Sequence, residues 1–146
     1  MMDIDRTAPV VVELHQTVQA PLETIWRMHT DVDSWPQWNT GIDTAVLHGP
    51  LAVGAVFDWT TAGLDIRSTV AELTPERRIV WGGPAHGITG IHVWEFEETS
   101  DGVRVSTRES WAGVPVEANP HAMHLALEES LLAWLQVLKT TAENRN

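Results

Sequence analysis

The sequence predicts an α+β fold, an antiparallel sheet of about seven strands packed with one long C-terminal helix. Three observations lead there. From Ile42 to Gly113 apolar and polar residues alternate with a period of two. Turn signals recur roughly every 8 to 12 residues along it, at Gly49-Pro50, Gly63, Thr74-Pro75-Glu76, Gly82-Gly83-Pro84 and Asp101-Gly102. Finally, Asn119-Pro120 supplies a helix cap and a proline at the first helical position, after which Met123, Leu127, Leu131, Trp134 and Leu138 step by three and four.

Each element follows in chain order. The first eight or so residues read as loose. Val10 to Gln19 then alternates as a strand, with Val10, Val12, Leu14, Gln16 and Val18 on one face. Ala20-Pro21 opens a helix whose Leu22, Ile25, Trp26 and His29 share a face, and a second short turn around Asp31 to Trp35 is expected to end at Pro36. Asp101-Gly102, between Ile91–Glu98 and Val103–Trp111, is the clearest hairpin signal of the meander. The last helix is expected to run about 20 residues to the region of Lys139, leaving Ala142 to Asn146 loose.

At 146 residues, with 43% hydrophobic and 20% charged residues, the chain is expected to form a single domain, residues 1–146. No run of about 18 apolar residues suggests a membrane span, and the polar start Met1-Met2-Asp3-Ile4-Asp5-Arg6 has no secretory character, so a cytoplasmic protein is expected. Twenty acidic against nine basic residues give a net charge of −11, which disfavours nucleic acid and anionic membranes as partners. Cysteine is absent, which removes disulfides, thiolate nucleophiles and thiolate metal sites. Any chemistry falls to His, to carboxylate side chains or to an external cofactor, and eight Trp beside two Phe and no Tyr must be accommodated in a small interior.

The pattern resembles the START-like, or SRPBCC, superfamily, and within it the polyketide cyclase/dehydrase-type proteins. The resemblance is carried by Val18-Gln19-Ala20-Pro21 running into Ile25-Trp26, by Asp31-Val32-Asp33-Ser34-Trp35-Pro36-Gln37-Trp38-Asn39, and by Gly54-Ala55-Val56-Phe57. It continues through Val70-Ala71-Glu72-Leu73-Thr74-Pro75, Ile79-Val80-Trp81, His92-Val93-Trp94-Glu95-Phe96 and Asp101-Gly102-Val103-Arg104-Val105. It implies a helix-grip fold: a strongly curved sheet gripping the long helix around an internal hydrophobic cavity. Members of this superfamily include carriers, cyclases, stress-responsive binders and chaperone regulators, so function must be argued from the site.

Strand alternation nominates the cavity lining without reference to the family. With Glu95 and Glu97 on the solvent face, His92, Trp94 and Phe96 point inward; with Arg104, Ser106 and Arg108 outward, Val103, Val105, Thr107, Glu109 and Trp111 point inward. The same rule places Phe57, Trp59, Ile66, Ser68, Ile79 and Trp81 inside, with Gln16 as a further polar member. Met123, His124 and Leu127 of the long helix complete the candidate ligand-binding set. Such an indole-rich wall either stacks an aromatic ligand or simply fills the core.

Glu109 and His92 are the candidate catalytic pair. A carboxylate on an inward face is rarely unpaired, and desolvation raises its pKa towards the range of a general acid or base. His92, on the neighbouring hairpin strand, is the expected partner, although the pair could equally bind ligand or order the sheet. His121, His124 and Glu128 have weak metal-ligand spacing, and an i, i+4 surface pair of His124 with Glu128 is the better expectation. No metal or cofactor is expected. His15, His29, His48 and His86 are expected in solvent, Trp35 and Trp38 as a plug at one cavity end, and the segment Gly82 to Gly90 as an entrance loop.

These residues suit a cofactor-free cyclase or dehydratase acting on an aromatic or polyketide-derived molecule. They suit equally a non-catalytic carrier or sensor of a hydrophobic small molecule; a chaperone-regulator-like interaction module has weaker support. An edge strand leaves monomer and homodimer both open.

Overall fold

The computed structural model describes residues 2–145. Strand β1 (Val10–Val18) leads into helix α1 (Leu22–Thr30), a 3-10 turn at Val32–Ser34 and the short helix α2 (Trp35–Trp38). Six strands follow: β2 (Ile42–His48), β3 (Val56–Thr61), β4 (Leu64–Thr74), β5 (Arg78–Ala85), β6 (Ile88–Thr99) and β7 (Gly102–Ala112). Helix α3 (Val114–Ala118) and the 25-residue α4 (Pro120–Asn144) close the chain. All seven strands form one antiparallel sheet in the order β1-β7-β6-β5-β4-β3-β2, the α+β arrangement the alternation predicts. Register shifts at Ile42/Thr44 and Val70/Glu72 mark bulges, the local device by which a strand bends and twists more strongly.

Helix α4 lies against the inner face. Its buried residues Leu127, Leu131, Trp134, Leu135, Leu138 and Ala142 form one stripe at helical spacing, and Asn119 caps its start by accepting a hydrogen bond from the Ala122 N–H. The helix continues past Lys139, and Ala142, expected to be loose, is wholly buried. Its end is fastened to the end of β1: Lys139 Nζ donates to the Thr17 carbonyl at 2.8 Å, and Glu143 accepts from the Gln19 N–H at 2.9 Å. Asn146 lies outside the described residues.

The start of the chain is also held, contrary to expectation. Ile4 is buried on the outer face of the sheet against Val80 and Val93, and the Asp5 N–H donates to Ser110 Oγ at 3.0 Å. Arg108 bridges Asp3 (2.8 Å) and Glu95 (2.6 Å), while the buried Arg78 reaches Glu72, Glu95 and the Met2 carbonyl. Alternation alone gives no hint of this cover, because Val80 and Val93 follow the period while occupying the outer side.

Three local expectations change. Pro36 lies at the start of α2 and does not end the preceding turn, since proline's missing N–H costs nothing in a first helical turn. Helix α3 is an additional element, five residues long and too short to carry a periodicity of its own. The segment Gly82 to Gly90 is a paired hairpin, with Gly82 opposite Ile91 and Ala85 opposite Ile88, and is no loop. Glycine is required there because a Cβ on Gly82 would come within 2.2 Å of the Gly90 carbonyl oxygen.

Candidate functional site

The interior has two ends. At one, α1, α2 and α4 close over the sheet, and the rings of Trp35, Phe57, Trp81, Trp94, Phe96 and Trp134 pack into a single buried cluster. Phe57, Trp81 and Trp94 therefore sit in the core, at 1%, 2% and 0% exposure, with ring centroids 5.4 Å apart for Phe57–Trp81 and 5.3 Å for Trp94–Trp134. Trp35, expected as a plug, is wholly buried and donates its indole N–H to the His29 carbonyl at 3.0 Å. At the other end Val10, Val12, Val116, Leu127 and Leu131 form a smaller aliphatic cluster, with Trp111 and Met123 half-buried against it.

His29 lies in the aromatic end and is fully buried, which corrects its placement in solvent. Its ring stands 4.2 Å from Trp94, 5.4 Å from Trp81 and 5.5 Å from Phe96, centroid to centroid. Burial pushes its pKa down to about 3, so the imidazole is neutral at physiological pH. The signal was present in the sequence: His29 shares a helical face with Ile25 and Trp26, and that face meets the core.

Glu109 and His92 meet between the two ends. The β6–β7 register sets them directly opposite, and His92 Nδ1 lies 3.2 Å from Glu109 Oε1. His92 Nε2 is 2.8 Å from Thr107 Oγ1, which is itself 3.2 Å from the Val93 carbonyl, while the Trp111 indole N–H donates to Glu109 Oε2 at 2.7 Å. The Glu109 side chain keeps 15% of its surface accessible, against 4% for His92. Burial raises the Glu109 carboxyl to about 7, against the smaller opposing effect of the Trp111 hydrogen bond. Burial, and secondarily the nearby His29, hold His92 well below its ordinary value.

The single proton of the Thr107 hydroxyl links these groups. If it goes to the Val93 carbonyl, His92 Nε2 must donate to Oγ1, Nδ1 is bare, and the Glu109 contact requires a proton on the carboxyl. If it goes to Nε2, the ring proton sits on Nδ1 and is donated to Glu109 Oε1, an arrangement that admits the carboxylate. A hydroxyl rotation, a change of imidazole tautomer and one carboxyl proton separate the two arrangements. With the carboxyl near neutrality, both arrangements are accessible at pH 7.

The remaining candidates distribute around this pair. Trp59 is half-buried, donates its indole N–H to Ser68 Oγ at 3.1 Å and faces Ile66 across the β3–β4 register. Between Trp59 and Trp134 opens a pocket of about 240 Å³, walled by Asn39, Ile42, Ala133 and Val137 as well; of these only Trp59 belongs to the ligand set expected from alternation. Leu127 is buried in the aliphatic cluster, whereas His124 is partly exposed and lies 3.6 Å from Glu128, the surface pair expected. Among the described residues no three His, Asp or Glu side chains gather as metal ligands. His48 pairs with Asp58 at 2.7 Å and His86 contacts the Asp65 carbonyl at 2.9 Å; both are exposed, as is His15.

Residues 9–143 match the family described as "Polyketide cyclase / dehydrase and lipid transport", and the chain belongs to that family. A relative from Streptomyces cyaneus named "Putative polyketide cyclase" is 28% identical over 113 residues, covering 68% of this chain and 70% of its own. Among solved structures, the Zhui aromatase/cyclase of Streptomyces sp. R1128 superposes with a TM-score of 0.80 at 18% identity, covering 92% of this chain and 94% of its own. A START superfamily protein from Mycobacterium smegmatis gives 0.79 at 16% identity, covering 93% and 99%. At these identities the structural likeness establishes a START-like fold. No helix among the described residues is long and apolar enough to cross a membrane.

Proposed function

We propose that this protein binds a hydrophobic, aromatic or polyketide-derived small molecule between the sheet and α4, and that Glu109 moves a proton during its cofactor-free cyclisation or dehydration. The observation that carries this reading is a carboxyl held near neutrality between His92 and Trp111, with part of its surface open. A group with a pKa near the working pH serves as both base and acid. In a dehydration, the carboxylate takes a proton from the carbon beside a ligand carbonyl. The carboxylic acid so formed returns that proton to the departing hydroxyl, and one water leaves. Family membership and the names of the relatives support a substrate of this class.

The carrier reading is favoured by one observation, the pocket of about 240 Å³ between Trp59 and Trp134, whose lining includes neither Glu109 nor His92. Mass spectrometry of the small molecules that co-purify with wild type and with Glu109→Gln separates the two. Catalysis predicts chemically different compounds, the wild-type one lacking the elements of water or closed into a ring. The same compound in both samples makes the protein a carrier.

A further inference from the structure

We propose that His29, with the indole N–H groups of Trp94 and Trp134, forms a polar seat for one oxygen of the ligand, a ketone carbonyl or a phenolic hydroxyl on an aromatic ring system, approached through the pocket beside Trp59. The proposal rests on the ligand-binding reading above and specifies what that ligand presents.

Neither ring nitrogen of the fully buried His29 has a hydrogen-bond partner among the described residues, and the indole nitrogens of Trp94 and Trp134 also have none. Such groups are normally paired in a protein interior, because an unpaired one loses its hydration without compensation. Here several are concentrated in mutually touching rings. The centroid of His29 lies 4.2 Å from Trp94 and 6.0 Å from Trp134, and those two indoles are 5.3 Å apart. Trp134 also lines the 240 Å³ pocket opposite Trp59, with the two rings 5.9 Å apart and edge to face. It is therefore the element shared by the pocket and the cage.

The chemistry of the occupant follows from the inventory. Each indole can only donate, and a neutral imidazole offers one donor and one acceptor. Three donors and one acceptor suit an oxygen that accepts: a ketone, or a phenol that also returns its hydrogen to the bare imidazole nitrogen. An ammonium group would bring donors to donors, and a carboxylate would meet no cation, since burial keeps His29 neutral. A pure hydrocarbon would leave the donors unpaired. The flat walls of Trp59 and Trp134 suit an aromatic ring carrying that oxygen.

The test compares three probes of similar size, naphthalene, 1-naphthol and 1-tetralone, by titration calorimetry. The wild type is expected to bind both oxygenated probes at least tenfold more tightly than naphthalene, as one or two neutral hydrogen bonds in a dry site provide. His29→Phe, which keeps a ring of similar size, should reduce that ratio to threefold or less while leaving naphthalene affinity within about threefold. Circular dichroism checks its fold, and if it does not fold, Trp134→Phe takes its place, removing an N–H while retaining an aromatic ring. Equal binding of all three probes by wild type, or a preference that survives in the folded variants, overturns the seat while leaving a ligand pocket intact. Binding of none of the probes overturns the seat and the pocket reading together. The acid/base assignment of Glu109 fails separately, on identical compounds in the co-purification experiment.

Discussion

The two buried titratable sites of this interior are made by the same force and end in opposite conditions. His29 sits in an aromatic cage, 0% exposed and without hydrogen-bond partners among the described residues, and desolvation leaves it neutral down to about pH 3. Glu109 sits at the border of the smaller cluster with two partners and 15% of its side chain accessible, and desolvation brings it up to about 7. One shift moves a base out of the physiological range; the other moves an acid into it. Desolvation alone therefore does not mark an active group. The direction of the shift decides whether the group can exchange a proton near neutral pH.

The opposed shifts give opposed pH dependence. His29, protonated at about 6.5 when unfolded, makes the folded state lose stability as pH falls from 6.5 through about 3. Glu109, at 4.5 when unfolded, retains its proton longer in the folded state, so stability falls as pH rises from 4.5 through about 7.

The largest expected effect comes from removing the wall the two sites share. Trp94 touches both His29 and His92, at 4.2 and 5.2 Å between centroids, and is fully buried. Trp94→Ala should cost about 3–5 kcal/mol in urea unfolding and raise the His29 pKa, read by imidazole NMR, as water enters the cage. A cost below about 1 kcal/mol would mean that the rings do not form a packed core.

Next in size is the ionisation cost of Glu109. Glu109→Gln should match wild type near pH 5 and exceed its stability at pH 8.5 by up to about 3 kcal/mol, because the variant has no carboxylate to bury. Urea melts at the two pH values check this, and a difference that does not depend on pH would contradict it. The smallest effect belongs to the surface pair: His124→Ala should change stability by no more than about 0.5 kcal/mol, since both partners are about two-fifths exposed.

These contrasts also show what the sequence makes legible. Alternation along β6 and β7 places His92, Thr107, Glu109 and Trp111 on one face because strand periodicity is strict, and a short hairpin fixes their register. The α4 stripe is equally readable. Helix α1 is not, since whether the His29 face meets core or solvent depends on how the helix docks. Nor is the pocket at Trp59 and Trp134, which is made where residues from the α2–β2 connection, β2, β3 and α4 converge, far apart in the chain. The outer cover by Ile4 escapes for the same reason: a short terminal segment carries no periodicity of its own. Gly82 to Gly90 misleads differently, because glycines required by close strand approach look like glycines of a loop.

The most direct test of a carboxyl poised for proton transfer is a titration of the Glu109 side-chain carboxyl by carbon-13 NMR, assigned with Glu109→Gln. A midpoint near pH 7 is predicted. A midpoint at the ordinary glutamate value, about 4.5, would contradict the account, because a carboxylate of ordinary basicity is poorly matched to taking a proton from carbon at neutral pH.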